Sequence, residues 1–190
     1  FNMICKYLPP KYIIKYQNII KFNLKPNPAF LDIIYNKHIK SLHDFIKKLK
    51  NYKELVKIKN DTGDNLLVEY LLYHKLSLSE NIKNTILELL DIGFMGDYIN
   101  PILGYQPIRQ ILLYTSDITF IKKFIKKAKV NFDTIDKYGN NIGHFIIYLY
   151  KSKQKQPDEL FYYIINLIDP NAKNVLNQSV NSLLGKKSIV

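Results

Sequence analysis

The stretch Asp136-Lys137-Tyr138-Gly139-Asn140-Asn141-Ile142-Gly143-His144 is the most informative part of the chain, because it opens a unit that recurs along the sequence. It combines a polar turn, centred on Gly139, with the start of an apolar helix. Asn141 stands two residues after Gly139, where a short amide side chain can hydrogen-bond the turn backbone and cap the helix. The stretch therefore predicts a turn followed by an amide-capped helix.

Three further copies of this turn indicate a repeating architecture. Their anchor residues are Gly63, Gly104 and, in a weaker copy, Ser179, and successive anchors are 41, 35 and 40 residues apart. The amide residues that follow are Asn65, Gln106, Asn141 and Asn181. Each turn precedes an apolar helix, a polar break and a second apolar helix. We expect units at residues 28–60, 61–100, 101–135 and 136–175, with a partial unit at 176–190.

The amino-terminal third differs from the rest in its charge. Residues 1–60 carry thirteen lysines against three acidic residues. The segment 28–60 fits a helix pair with a lysine-rich outer face, as expected of a cap that has a neighbour on one side only. Residues 1–27 fit either an extra helix or an ordered arm.

The third unit resembles an ankyrin repeat, whose opening has an aspartate, a glycine three residues later, and then Thr-Pro-Leu-His. Asn141 stands for the threonine, Ile142 for the proline and Gly143 for the leucine, and His144 matches directly. The resemblance covers residues 28–190. It implies an all-α fold, a short solenoid of helix-turn-helix repeats with the lysine-rich helical cap at its amino terminus, in which His144 braces the turn.

One departure from the ankyrin pattern concerns the first helix of each unit. Where the family has paired alanines, this chain has Tyr70-Leu71, Ile111-Leu112 and Ile146-Ile147. Larger side chains in a tight helix contact require backbone shifts. We therefore expect either wider spacing between helices or one member of each pair at the surface.

Divergent ankyrin repeats with this usage of Lys, Asn, Ile and Tyr are similar to those of poxviruses, other large DNA viruses and intracellular bacteria. The resemblance implies a module that binds a host protein, in the host cytosol or nucleus, to modulate innate immune signalling or host range. Family binding surfaces are built from the turns and inner helices. The candidate contact residues are therefore Tyr105, Arg109, Lys137, Tyr138 and Tyr148; a packing role is the alternative for the tyrosines.

The net charge of +12 supports a second hypothesis, a basic helical protein that binds nucleic acid. Its candidates are the lysine-rich faces of residues 37–59 and 122–129, and the second includes Lys122, Lys123, Lys126 and Lys127. Against it, Arg109 is the only arginine, whereas base-edge recognition favours arginine. Lysines opposite an apolar stripe are also typical of a solvated helix surface.

Other classes of function receive no support from the sequence. The four histidines have no zinc-ligand spacing, Cys5 is the only cysteine, and no glycine-rich phosphate loop is present. No apolar run approaches the roughly 20 residues of a membrane span. We therefore expect a cytoplasmic protein that is not an enzyme, with no metal, no cofactor and no membrane insertion.

Overall fold

The computed structural model describes residues 7, 9–16, 33–34, 36, 41–49, 52–57, 59, 62–74, 78–100, 102 and 104–185. Within these ranges the chain forms ten α-helices and no β-strand, and the all-α prediction is confirmed for this part of the chain. The helices are α1 (Pro10–Lys15), α2 (Leu42–Lys47), α3 (Tyr52–Leu55), α4 (Leu66–Tyr73), α5 (Glu80–Ile92), α6 (Pro107–Tyr114), α7 (Ile118–Ala128), α8 (Ile142–Ser152), α9 (Glu159–Ile165) and α10 (Val180–Leu184).

The amide caps decide where two of these helices begin. The Asn65 side chain accepts a hydrogen bond from the Val68 N–H at 2.9 Å and starts α4. Asn141 accepts from the His144 N–H at 3.1 Å, and the His144 ring accepts from the Asn141 N–H in return. Such a reciprocal pair satisfies two backbone donors that a helix start leaves without partners.

The other two predicted caps are wrong. Gln106 precedes α6 but its side chain makes no capping hydrogen bond, and Pro107 at the first helical position removes only one of the N–H groups that a helix start leaves without partners. In the fourth copy Ser179 is the cap, accepting from the Ser182 N–H at 3.1 Å, and Asn181 lies inside α10. Ser179 is thus the equivalent of the cap residue and not of the anchor glycine, so the fourth copy is shifted by two residues from the predicted register.

The helices contact one another in the order of the chain. The four helices that follow turns, α4, α6, α8 and α10, contact in succession, while α2, α5 and α7 contact in succession beside them. Within single units, α6 contacts α7 and α8 contacts α9. The apolar faces of all these helices meet in one hydrophobic cluster.

The bulky pairs that replace the family's alanines lie in this cluster. All six side chains of Tyr70-Leu71, Ile111-Leu112 and Ile146-Ile147 are buried. The expectation that one member of each pair lies at the surface is therefore wrong. Close approach is provided instead by Gly143, where an added Cβ would lie 2.9 Å from a methyl group of Val180 on α10.

The amino-terminal segments are described in part. Residues 1–27 include α1, which begins at Pro10 and buries Ile13, while residues 1–6, 8 and 17–27 lie outside the described residues. In the predicted cap, α2 buries Leu42, Phe45 and Ile46, and Lys47 is exposed. Most of the first helix of the predicted pair, residues 28–35, lies outside the described residues. The same holds for His38 and Cys5.

Candidate binding surface

Each of the later turns is organised by one Asn or Asp side chain at its start. The Asp136 carboxylate accepts hydrogen bonds from the backbone N–H groups of Tyr138 at 2.8 Å and Asn140 at 2.9 Å. Asn174 binds the N–H groups of Leu176 and Gln178 in the same way, both at 3.0 Å. These bonds fix the turn without help from the residue at its tip.

The second unit has the same turn with one residue more. The Asn100 side chain accepts a hydrogen bond from the Ile102 N–H at 2.7 Å. The backbone N–H of Asn100 donates to the Tyr105 carbonyl at 2.8 Å. The corresponding backbone bond runs from Asp136 to Asn140 at 3.0 Å. Tyr105 and Tyr138 each stand next to an anchor glycine, Gly104 or Gly139, and on that ground they would be equivalent. The turn hydrogen bonds correct this: Ile102, and not Tyr105, is the equivalent of Tyr138.

Neighbouring turns are hydrogen-bonded to each other along one edge of the molecule. The Asn174 side chain donates to the Asn140 side chain at 2.9 Å, and the Val175 N–H donates to the Tyr138 carbonyl at 3.0 Å. Earlier in the chain, Asn100 donates to the Thr62 carbonyl at 2.7 Å. The turns of successive units therefore lie side by side.

An apolar side chain stands at the same exposed tip position in three consecutive turns. Ile102 is 60% exposed, Tyr138 55% and Leu176 71%, and we call these three residues the tip row. The same edge also exposes Met95, Ile135 and Val175. Grouped apolar exposure of this kind marks an interaction surface, whereas isolated exposed side chains do not.

Two other predicted contact residues lie on or beside the tip row. Lys137 is exposed, with its ammonium group 5.0 Å from the centre of the Tyr138 ring. Tyr148 on α8 is partly exposed, and its hydroxyl donates to the Gln178 side chain at 3.1 Å. Tyr105 is half-buried. The sequence did not predict Ile102 and Leu176 as contact residues. Asn100 and Asn174, two residues before them, are the sequence feature that could have located these two turn tips.

Arg109 has a different place from the one predicted. Its side chain is buried, donating to the Asp136 carboxylate at 2.8 Å and to the Asn140 carbonyl at 2.6 Å, and it lies over the Phe145 ring. Because these contacts occupy it inside the chain, we remove Arg109 from the contact surface. It joins α6 to the turn of the next unit.

The same contacts set the charge of Asp136. Burial by itself raises the pKa of this carboxyl, but hydrogen bonds from the backbone N–H of Asn140, from Arg109 and from the backbone N–H of Tyr138 outweigh it. The pKa of Asp136 therefore lies below its ordinary value. An ionised carboxylate is needed here, since it accepts bonds from both the turn and the guanidinium.

The lysine face of α7 is partly occupied by contacts between helices. Lys122 forms an ion pair with Glu159 of α9 at 3.2 Å, and Lys127 forms one with Asp91 of α5. Lys123 and Lys126 are exposed, and no acidic group of the described ranges pairs with them. Half of the predicted basic patch therefore serves packing between units.

Both ring nitrogens of His144 are engaged in contacts that hold the fold. Its ring is buried, with Nε2 2.9 Å from the Gln178 carbonyl and Nδ1 in the capping box of α8. Over the ranges given above, no cluster of three or more His, Cys, Asp or Glu side chains could hold a metal ion. None of the helices described is long and apolar enough to cross a membrane.

Comparison with known proteins gives no assignment for this chain. No protein-family model matches it. A search of curated protein sequences finds no significant match.

Proposed function

We propose that the chain is a protein-binding module, a short ankyrin-like stack that contacts its partner through the tip row and the adjoining Lys137 and Tyr148. The observation that carries the proposal is the repeated exposure of Ile102, Tyr138 and Leu176 at one equivalent position. Each turn is held by an Asn or Asp side chain, so the fold does not require an apolar residue at the tip. Large apolar side chains in such positions are suited to anchoring a partner.

The sequence in which the helices contact one another supports the ankyrin-like arrangement. Helices that follow turns contact each other in one row, and the preceding turns are bonded side by side along its edge. Repeat stacks present extended surfaces of this kind. By the resemblance of the repeats to those of viruses and intracellular bacteria, the proposed partner is a host protein in the cytosol or nucleus, bound to modulate innate immune signalling or host range.

Nucleic-acid binding is the less favoured proposal. Lys122 and Lys127 already have acidic partners within the chain, which lowers the charge that α7 can offer to phosphate groups. Lys123 and Lys126 still project into solvent. Two lysines predict only a shallow dependence of affinity on salt, because that dependence grows with the number of phosphates neutralised.

The test substitutes the tip row as a unit, Ile102→Ser with Tyr138→Ser and Leu176→Ser. The matched control replaces three exposed apolar residues away from the turns, Tyr73→Ser, Tyr162→Ser and Leu167→Ser. Host-cell proteins captured by the three chains are compared by quantitative mass spectrometry, and the affinity of any captured protein is then measured directly.

We expect the tip-row variant to weaken binding at least about tenfold, and the control to bind normally, because interface anchors each contribute more than about 1 kcal/mol. Thermal melts should be nearly unchanged in both, since surface substitutions cost about 0.5 kcal/mol or less. A partner that binds the tip-row variant and the unsubstituted chain equally well would refute the proposal.

A further inference from the structure

A cleft lies at the other end of the turn-following helices from the tip row. It has a volume of about 240 Å³ and opens between the carboxyl-terminal ends of α6 and α8. Its floor is apolar and consists of Leu112, Ile146, Leu149 and Leu160. Protein interiors are otherwise close-packed, so an apolar cavity of this size leaves contacts unmade.

The rim of the cleft is polar and comes largely from one segment. Thr115 and Ser116 form one side, and Lys153 and Lys155 form the other. Both lysines belong to the connection between α8 and α9, which runs from residue 153 to residue 158 and is exposed up to residue 157. The additional residues of this unit thus build one wall of the cleft.

The charges at the rim do not cancel. Asp158 is already matched, since Lys155 lies 2.6 Å from its carboxylate and the Tyr150 hydroxyl donates to it. The Lys153 ammonium group instead donates to the Leu113 carbonyl at 3.1 Å, and no acidic side chain of the described residues pairs with it. Lys153 therefore offers at the rim a positive charge that is not matched within the described residues.

We propose that this cleft binds a small carboxylate that carries an apolar group, with the apolar group on the Leu112–Ile146–Leu149–Leu160 floor and the carboxylate at Lys153. The volume limits the occupant, because sites for drug-sized ligands span about 300–1,000 Å³. A volume of about 240 Å³ suits an occupant of the size of one substituted aromatic ring. A free acid and the apolar carboxyl-terminal residue of another chain share this chemistry.

The probe is phenylacetate, titrated into the full ¹⁵N-labelled chain and followed by amide chemical shifts. We expect saturable shifts confined to residues 112–116, 146–155 and 160, which include every residue that lines the cleft. Phenylacetamide, its neutral counterpart, should bind about tenfold more weakly, because a charge-assisted hydrogen bond is lost. The tripeptide Gly-Gly-Phe with a free or an amidated carboxyl group distinguishes the source: tighter binding of the free peptide than of phenylacetate identifies a chain end, and the reverse identifies a free acid.

The matched variants are Lys153→Gln and Lys151→Gln. Lys151 lies in the last turn of α8 but donates to the Leu183 carbonyl, away from the cleft. Lys153→Gln should weaken phenylacetate about tenfold, whereas Lys151→Gln should not change it, and the amide spectrum itself reports that each variant is folded. The inference is overturned if phenylacetate causes no saturable shift at the cleft up to a concentration of about 10 mM. It is equally overturned if acid and amide bind alike, or if Lys153→Gln has no effect.

Discussion

Polar residues in this chain act mainly by joining one unit to the next, and Arg109 is the most informative of them. The sequence marked it as a contact residue because it lies near the first helix of its unit, and family binding surfaces are built from the turns and inner helices. The structure places its guanidinium between α6 and the Asp136 turn, where both charges are largely removed from water. The geometry predicts that the residue matters for stability.

Replacing Arg109 by alanine should lower the free energy of unfolding by about 3 kcal/mol, because Asp136 is then left half-buried without its partner. Urea denaturation measures the change. The double variant with Asp136→Asn should cost less than the sum of the two single variants, since no unpaired charge remains. If Arg109→Ala left the stability unchanged but abolished partner binding, Arg109 would be a contact residue after all.

Asp158 makes the free energy of unfolding depend on pH under acidic conditions. Burial raises the pKa of this carboxyl, but hydrogen bonds from Lys155, Tyr150 and the Phe161 N–H outweigh that effect and lower it to about 2. The pKa of Asp158 in the folded chain therefore lies below its ordinary value of 3.8. The stabilisation is therefore complete above about pH 4 and is lost as the pH falls through about 2.

The variant Asp158→Asn should lose this dependence, and its stability curve should be flatter than that of the unsubstituted chain between about pH 4 and 2. Asparagine is an equally good helix cap, so α9 retains its start. Free energies of unfolding from urea titrations across this range provide the measurement. The control Asp133→Asn, at an exposed position outside any ion pair of the described residues, should leave the curve unchanged.

At the scale of elements, the helices approach most closely where small residues meet. Gly96 follows α5, and a Cβ added to it would lie 2.5 Å from the Ala128 Cβ at the end of α7 and 2.6 Å from a Leu90 methyl group. The Ala128 Cβ cannot rotate away. The contact therefore excludes any larger residue at position 96 unless α7 shifts.

Gly96→Ala should destabilise the chain by about 1–3 kcal/mol, which is the usual cost of overpacking. Adding Ala128→Gly should recover part of the loss, even though glycine in a helix costs about 1 kcal/mol. Thermal and urea unfolding of the single and double variants separate the two terms. Absence of any recovery would show that the cost of Gly96→Ala has another source.

At the scale of the whole molecule, stability should vary with position along the row of helices. Helices α6 and α8 each contact a turn-following helix on both sides, whereas α8 is the one turn-following helix that packs against α10 in the described part of the chain. Stacked units derive much of their stability from neighbours, so a helix with one neighbour opens more readily.

Amide hydrogen exchange should therefore be fastest in α10 and slowest in α6 and α8. Mass spectrometry of peptides from the intact chain, with exchange times from seconds to hours, measures this order. The tip-row variant should show the same profile, because its substitutions lie outside the helices. Equal protection of α8 and α10 would contradict a gradient set by neighbours.

The sequence by itself determined the all-α class, the positions of most turns and the caps Asn65 and Asn141, because these depend on residues within a few positions of each other. It did not determine the register of the fourth turn, where Ser179 and Asn181 are both acceptable caps locally. The choice between them depends on contacts with residues far away in sequence, such as the bond from the Asn181 N–H to the Pro170 carbonyl.

The candidate surface depended on tertiary structure in the same way. Tyr138 and Lys137 could be predicted from their place in a turn, but Arg109 is buried only because the next unit brings Asp136 and Asn140 to it. Ile102 and Leu176 join Tyr138 in one row only when the turns lie side by side. Local chemistry fixes what each residue can do, and the packing of one unit on another decides which residues are left exposed to bind.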